Sequence, residues 1–136
     1  MSPARMDRIE SAIRVVIEFQ EAFNHRDAPA MMKLVSDDYI YESSAPAPGG
    51  TLYKGKEAAA EFWRVFCAKT PAASVEVEDV FGTGLRCVMR WTFAVDDNAS
   101  GVDLIRGVDI FRVRNGAICE QVSYIKGACK IGRAHV

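Results

Sequence analysis

Histidine is scarce in this chain. His25 and His135 are the only two among 136 residues, which argues against a His-rich zinc site, a Ser-His-Asp triad or a histidine general acid. His25 lies in the hydrophilic run Asn24-His25-Arg26-Asp27, a setting that fits an exposed structural role. The four cysteines, Cys67, Cys87, Cys119 and Cys129, form no Cys-x-x-Cys pair and adjoin no histidine, so free thiols are expected rather than a metal or redox centre. There is no Gly-x-Gly-x-x-Gly, phosphate loop or His-Glu-x-x-His, so neither a cofactor nor a metal is expected. Apolar runs fall far short of the roughly 20 residues of a membrane helix. The opening Met-Ser-Pro-Ala-Arg-Met-Asp-Arg lacks a secretory apolar stretch, and a cytoplasmic address follows by default. With 17 basic and 18 acidic side chains the formal charge is -1, and no basic stripe or acidic tail stands out. Nucleic acid and anionic membrane are therefore not expected partners.

What is present is the composition of a soluble globular domain: 49% hydrophobic and 26% charged residues, in a length that fits one core. From Pro3 to Asn24, Met6, Ile9, Ile13, Val16, Ile17, Gln20 and Phe23 recur at helical spacing, after a Ser2-Pro3 start signal. Asp27 is placed to cap a short helix over Ala30–Val35. Asp38 to Ser43 reads as a strand, and Ser44-Ala45-Pro46-Ala47-Pro48-Gly49-Gly50 as an irregular loop that either covers a pocket mouth or simply connects. A helix over Lys56–Lys69 carries Ala59, Phe62, Trp63 and Phe66 on its apolar side and ends at Thr70-Pro71. Strands follow over Ser74–Val80, Leu85–Val95, Val102–Arg114 and Ala117–Lys126. They are separated by Gly82-Thr83-Gly84, the polar turn Asp96–Gly101, and the hairpin signal Asn115-Gly116. The order predicts an α+β fold in which helices cover one face of a curved, mostly antiparallel sheet.

One residue breaks the apolar logic. Asp109 stands inside Gly107-Val108-Asp109-Ile110-Phe111-Arg112-Val113, where ionisation would cost the carboxylate its water shell. Such an acid is a candidate functional group, with a structural carboxylate held by Tyr41 or Arg90 as the alternative. The tail Lys130-Ile131-Gly132-Arg133-Ala134-His135-Val136 fits no pattern and resembles the in-frame translation of a common sequencing adapter. That origin implies an environmental read whose native C-terminus is lost beyond about Ala128. One domain is therefore expected over residues 1–129, and residues 130–136 are assigned no function.

The element order and four short motifs resemble the SnoaL-like branch of the nuclear-transport-factor-2-like superfamily, which also holds ketosteroid isomerase, polyketide cyclases and limonene-epoxide hydrolase. The motifs are Ala22-Phe23-Asn24-His25-Arg26-Asp27, Ser36-Asp37-Asp38-Tyr39-Ile40-Tyr41-Glu42, Gly55-Lys56-Glu57, and Arg106 through Ile118. The resemblance runs to about Lys126. It implies a cone-shaped sheet wrapped round a long N-terminal helix, with an apolar cavity open at one end. Asp109 falls where ketosteroid isomerase carries its neutral, hydrogen-bond-donating carboxyl. That enzyme's base falls on Ser43 and its oxyanion tyrosine on Phe19, so its catalytic set is incomplete. The epoxide hydrolase set, Arg-x-Asp plus a second acid, is also missing, because Gly107 stands two before Asp109. The implied cavity residues are Tyr41, Ser43, Met89, Trp91, Phe93, Asp109, Phe111, Gln121, Ser123 and Ile125 from the sheet, with Phe19 and Trp63 from helices.

Three readings follow. The first is an isomerase, cyclase or hydrolase in which Asp109 and Tyr41 donate hydrogen bonds to a small apolar carbonyl-type substrate. The second is a non-catalytic binder of a small apolar molecule. The third is an interaction module that forms a homodimer through the outer sheet face of Val108, Ile110, Arg112, Val122 and Tyr124, with Arg86, Arg90 and Arg112 as a solvated rim.

Overall fold

The computed structural model describes residues 2–97 and 101–131. The first helix, α1, spans Pro3–Asn24. Ser2 caps it, its hydroxyl accepting from Arg5 N at 3.2 Å, and Pro3 supplies the fixed φ that suits a first helical turn. Ala12, Val16, Phe19, Gln20 and Phe23 form its buried stripe. Met6 and Ile17, expected in that stripe, are exposed, because the first turns of α1 stand in solvent and the packed face lies one position round.

The short helix α2 is Ala28–Met32, capped by Asp27, whose Oδ1 accepts from Ala30 N at 3.0 Å. It starts earlier than expected because Pro29 initiates it. It also stops earlier, because Val35 is drawn into the sheet opposite Ile118. Strand β1 is Val35–Glu42, β2 is Leu52–Lys54, and α3 is Lys56–Lys69 as expected. The three-residue β2 was not expected; it pairs antiparallel with β1 through Tyr41↔Tyr53.

The long strands are β3 (Ala73–Thr83), β4 (Arg86–Asp97), β5 (Gly101–Arg114) and β6 (Ala117–Ile131). They join β1 and β2 in a six-stranded sheet of order β2-β1-β6-β5-β4-β3. Every neighbouring pair is antiparallel except β1 with β6. The hairpin at Asn115-Gly116 has φ of 53° and 76°, the left-handed pair that a two-residue turn matched to strand twist requires. Leu85, expected on a strand, sits in the turn before β4 and is exposed. β6 continues past Lys126, so Lys130 and Ile131 carry strand backbone where the sequence showed no pattern. Residues 98–100, within the expected polar turn, and 132–136, within the expected tail, lie outside the described residues.

α1 and α3 cover the inner face of the sheet, and the core between them is built on Tyr39, Phe19, Phe111, Met31, Met89 and Ile118. Among the described residues, no helix is long and apolar enough to cross a membrane.

Candidate functional site

Strand register decides which side chains meet inside the cone. Met89 faces Asp109 across β4–β5, Asp109 faces Ser123 across β5–β6, and Tyr41 faces Gln121 across β1–β6. Since successive side chains alternate faces, these positions and those two residues away share the inner face. They line a cavity of about 440 Å³ beneath the two helices. Tyr41 and Ser43 come from β1 and its end, Met89, Trp91 and Phe93 from β4, Asp109 from β5, and Gln121, Ser123 and Ile125 from β6. Phe19 and Trp63 close it from α1 and α3.

Phe111, expected among them, does not line the cavity. It is fully buried and packs edge-on against Phe19, centroids 6.1 Å apart, so it belongs to the solid core. Sequence reasoning missed Gln20, Tyr53, Phe62 and Phe66, which also line the cavity. The spacing of Phe62 and Phe66 on α3 was visible, but nothing in it says which apolar helix residues meet a cavity and which meet solid core. Alternation with Tyr41 and Ser43 puts Tyr39 on the inner face as well, a signal that was available.

Asp109 is 6% exposed and accepts from two directions. Trp91 Nε1 donates to Oδ1 at 3.0 Å, and Gln121 Nε2 donates to Oδ2 at 2.7 Å. The Gln121 amide is oriented by Tyr39, whose hydroxyl donates to Oε1 at 2.6 Å; both residues are essentially inaccessible. Tyr41 and Ser123 share a 2.9 Å hydrogen bond between hydroxyls. Burial raises the Asp109 pKa above the usual carboxylate value, while hydrogen bonds from Gln121, Ser123 and Trp91 pull part of the way back. Burial likewise pushes the Tyr41 phenol far up, and the charge of Asp109 adds to the shift, so Tyr41 stays protonated and can donate.

The partners expected for a structural Asp109 are not the ones found. Arg90 lies on the opposite sheet face, its Nε 3.5 Å from Glu78 Oε2, as strand alternation requires. Arg106 also reaches Glu78, at 3.0 Å, and so cannot supply the arginine of an Arg-x-Asp pair. Tyr41 is engaged by Ser123, not by Asp109 directly.

Gly107 explains how tryptophan takes up the donor role. A Cβ at this position would stand 2.5 Å from Trp91 Cζ2 and 2.7 Å from Cη2. The indole therefore lies flat on bare backbone opposite it, and its ring nitrogen is delivered to Asp109, diagonal across the strand pair.

Ser43 lines the cavity but turns its hydroxyl to the backbone. It donates to Ala45 O at 3.0 Å and accepts from Thr51 N at 3.2 Å, pinning both ends of the loop that places Ser44 and Ala45 at the cavity wall. Among the described lining residues, Asp109 is the sole carboxylate and there is no lysine, arginine or histidine.

The SnoaL-like domain family matches residues 16–121. An NTF2-like protein of unknown function from Mesorhizobium loti is 30% identical, with a TM-score of 0.76 over 89% of this chain and 95% of that one. A putative SnoaL-like polyketide cyclase from Jannaschia sp. CCS1 shares 14% identity at a TM-score of 0.75, over 93% and 90% of the two chains. An LEH-like epoxide hydrolase from M. tuberculosis shares 19% at 0.71, over 87% and 84%. The last two likenesses establish a common fold. Comparison with curated proteins gives no match.

Proposed function

Because this chain belongs to the SnoaL-like domain family and holds a mostly apolar cavity, we propose that it acts on a small, mostly apolar carbonyl compound, with Asp109 as its acid–base group. The observation that carries this reading is the isolation of Asp109: one buried carboxyl with raised proton affinity, the sole carboxylate of a mostly apolar cavity among the described residues. In its protonated form Asp109 donates to the ligand oxygen as negative charge develops there, and Tyr41, kept protonated, supports it through Ser123.

A single acid must take back the proton that it gives. The proposed reaction class is therefore isomerisation or ring closure, in which a proton leaves one site and returns at another. Hydrolysis needs a second group to activate water, and the described lining offers no other carboxylate and no histidine. Non-catalytic binding is supported by one specific observation: both Asp109 oxygens already carry hydrogen bonds within the protein.

The test is a panel of apolar ketones, enones and lactones screened by thermal shift, with product analysis of every compound that stabilises the protein. Turnover by the wild type that falls at least 10²-fold in Asp109→Asn, with binding kept, supports catalysis. Stabilisation without product from any binder favours the non-catalytic reading, and equal turnover by the variant removes Asp109 from the mechanism.

The outer sheet face supports a further reading, a homodimer. Tyr124 is 56% exposed there, and Val108, Ile110 and Val122 are only half-buried. Light scattering at micromolar concentration decides it, and a monomeric mass would count against pairing.

A further inference from the structure

Gln20 is the one polar residue on the buried stripe of α1, 8% exposed among Val16, Phe19 and Phe23, and it lines the cavity. Its Nε2 is buried and has no hydrogen-bond partner among the described residues. A buried amide N–H left unpaired costs stability that a leucine or methionine would not, so its place on an otherwise apolar stripe calls for a use. Trp63 Nε1, on α3, is also buried without a partner. That indole lies against the Tyr39 hydroxyl, which can accept from it while donating to Gln121. Among the described residues the Gln20 amide has no such neighbour, so it carries the inference.

We propose that Gln20 is a ligand-recognition residue: its amide donates to a carbonyl or ether oxygen of the molecule in the cavity, at a point on the helical wall separate from Asp109 on the sheet. Resting on the small-molecule reading above, this narrows the ligand class to molecules with an apolar body and two oxygen functions, one met by each wall. The aromatic lining from Phe23, Phe62 and Phe66 holds the body between them. A ligand without the second oxygen leaves the Gln20 amide unpaired, which is the usual way a polar group in an apolar pocket enforces selectivity.

Two bicyclic ketones of nearly equal size, 6-acetyl-1-tetralone with a carbonyl at each end and 6-isopropyl-1-tetralone with only one, separate the amide contact from simple filling of the cavity. Their dissociation constants are measured by calorimetry for wild type, Gln20→Met and Gln20→Leu. The diketone is expected to bind each variant about 3- to 10-fold more weakly than wild type, the range of one neutral hydrogen bond, while the monoketone, whose oxygen is met by Asp109, stays within about twofold. Thermal midpoints of both variants are expected to equal or exceed that of wild type, because an unpaired buried donor has been removed.

Equal changes for both probes, or none for the diketone, would overturn the role of Gln20 while leaving the apolar cavity reading intact. A clear fall in both midpoints would overturn it too, by showing that the amide serves the fold. Failure of both probes to bind wild type would overturn the small-molecule reading itself, and this inference with it.

Discussion

Gln121 and Asp109 lie diagonal to each other on adjacent strands, the side-chain amide of Gln121 donating to Asp109 Oδ2 at 2.7 Å. The opposite end of that amide accepts from Tyr39, so Gln121 is held at both ends and has no free orientation. Gln121→Leu would leave a buried carboxyl oxygen and a buried phenol each short of a partner. The expected loss of stability is about 2–5 kcal/mol, the sum of two such penalties, read from urea unfolding. A loss below about 1 kcal/mol would show that water or rearranged side chains replace the amide.

Gly107 and Trp91 make a second prediction. Gly107→Ala drives a methyl group into the backbone carbonyl oxygen of Tyr124 on β6 as well as into the indole, forcing the ring off the strand at a cost at or above the upper end of the roughly 1–3 kcal/mol usual for overpacking. The displaced indole no longer reaches Asp109, so one of the interactions that favour the ionised carboxyl is lost. Trp91→Phe removes the same donor while keeping an aromatic ring. Both variants should raise the Asp109 pKa in a carboxyl-carbon NMR titration; an unchanged value in Trp91→Phe would show that the indole bond has no influence on ionisation.

The sequence made the framework legible because two periodicities carry most of it. Helical spacing located α1 and α3 to the residue, and alternation sorted the two faces within a strand, while the resemblance to the SnoaL-like branch was what put Tyr41, Met89, Trp91, Asp109, Gln121 and Ser123 on one cavity face. Less visible was anything set by depth along the cone. Phe111 and Asp109 share a face, yet only Asp109 meets open space, because Phe19 fills the volume beside Phe111. The hydrogen-bond partners of Asp109 were also out of reach. Strand alternation allowed Trp91 and Gln121, but only the absence of a side chain at Gly107 lets the indole lie close enough to be chosen. Gln20 was read as one more member of an apolar stripe, since helical spacing marks which side faces inward and says nothing of whether space lies there.

The raised pKa of Asp109 fixes the sign of a pH effect. The unfolded carboxyl ionises near its ordinary value of 3.8, while in the folded protein Asp109 holds its proton to higher pH. Its contribution is therefore fully present below 3.8 and is lost as pH rises through the folded pKa. Asp38 and Glu78 act in the opposite sense, their carboxyls held low by hydrogen bonds from Ser36 and Arg114 and from Arg106. Their contribution fades as pH falls. Asp109→Asn isolates the first effect, because the other two carboxyls are unchanged in it. The Asn amide can still accept from Trp91, and Gln121 can reverse its amide to accept from the Asn and donate to Tyr39. The wild-type stability minus that of the variant should therefore decline as pH rises above about 4 and then level off. A difference that is flat, or that grows with pH, would mean that the carboxyl is not destabilised by burial.

Ser43 links the cavity to its loop. Its hydroxyl holds Ala45 O and Thr51 N, and its own N–H donates to Thr51 O at 2.9 Å, so one residue ties both ends of the segment Ser44–Gly50. Ser43→Ala removes the two side-chain bonds and keeps the backbone one. The expected loss in global stability is modest, about 0.5–2 kcal/mol, because the backbone pairing of β1 with β2 survives. The larger effect should be kinetic. With Ser44 and Ala45 less firmly held at the wall, an apolar probe such as 1-tetralone should both enter and leave faster in stopped-flow measurements, with little change in its dissociation constant. Faster exchange at constant affinity would place the loop on the ligand's path, whereas unchanged rates would reduce Ser43 to a staple of the β1 end and leave the loop as a connector.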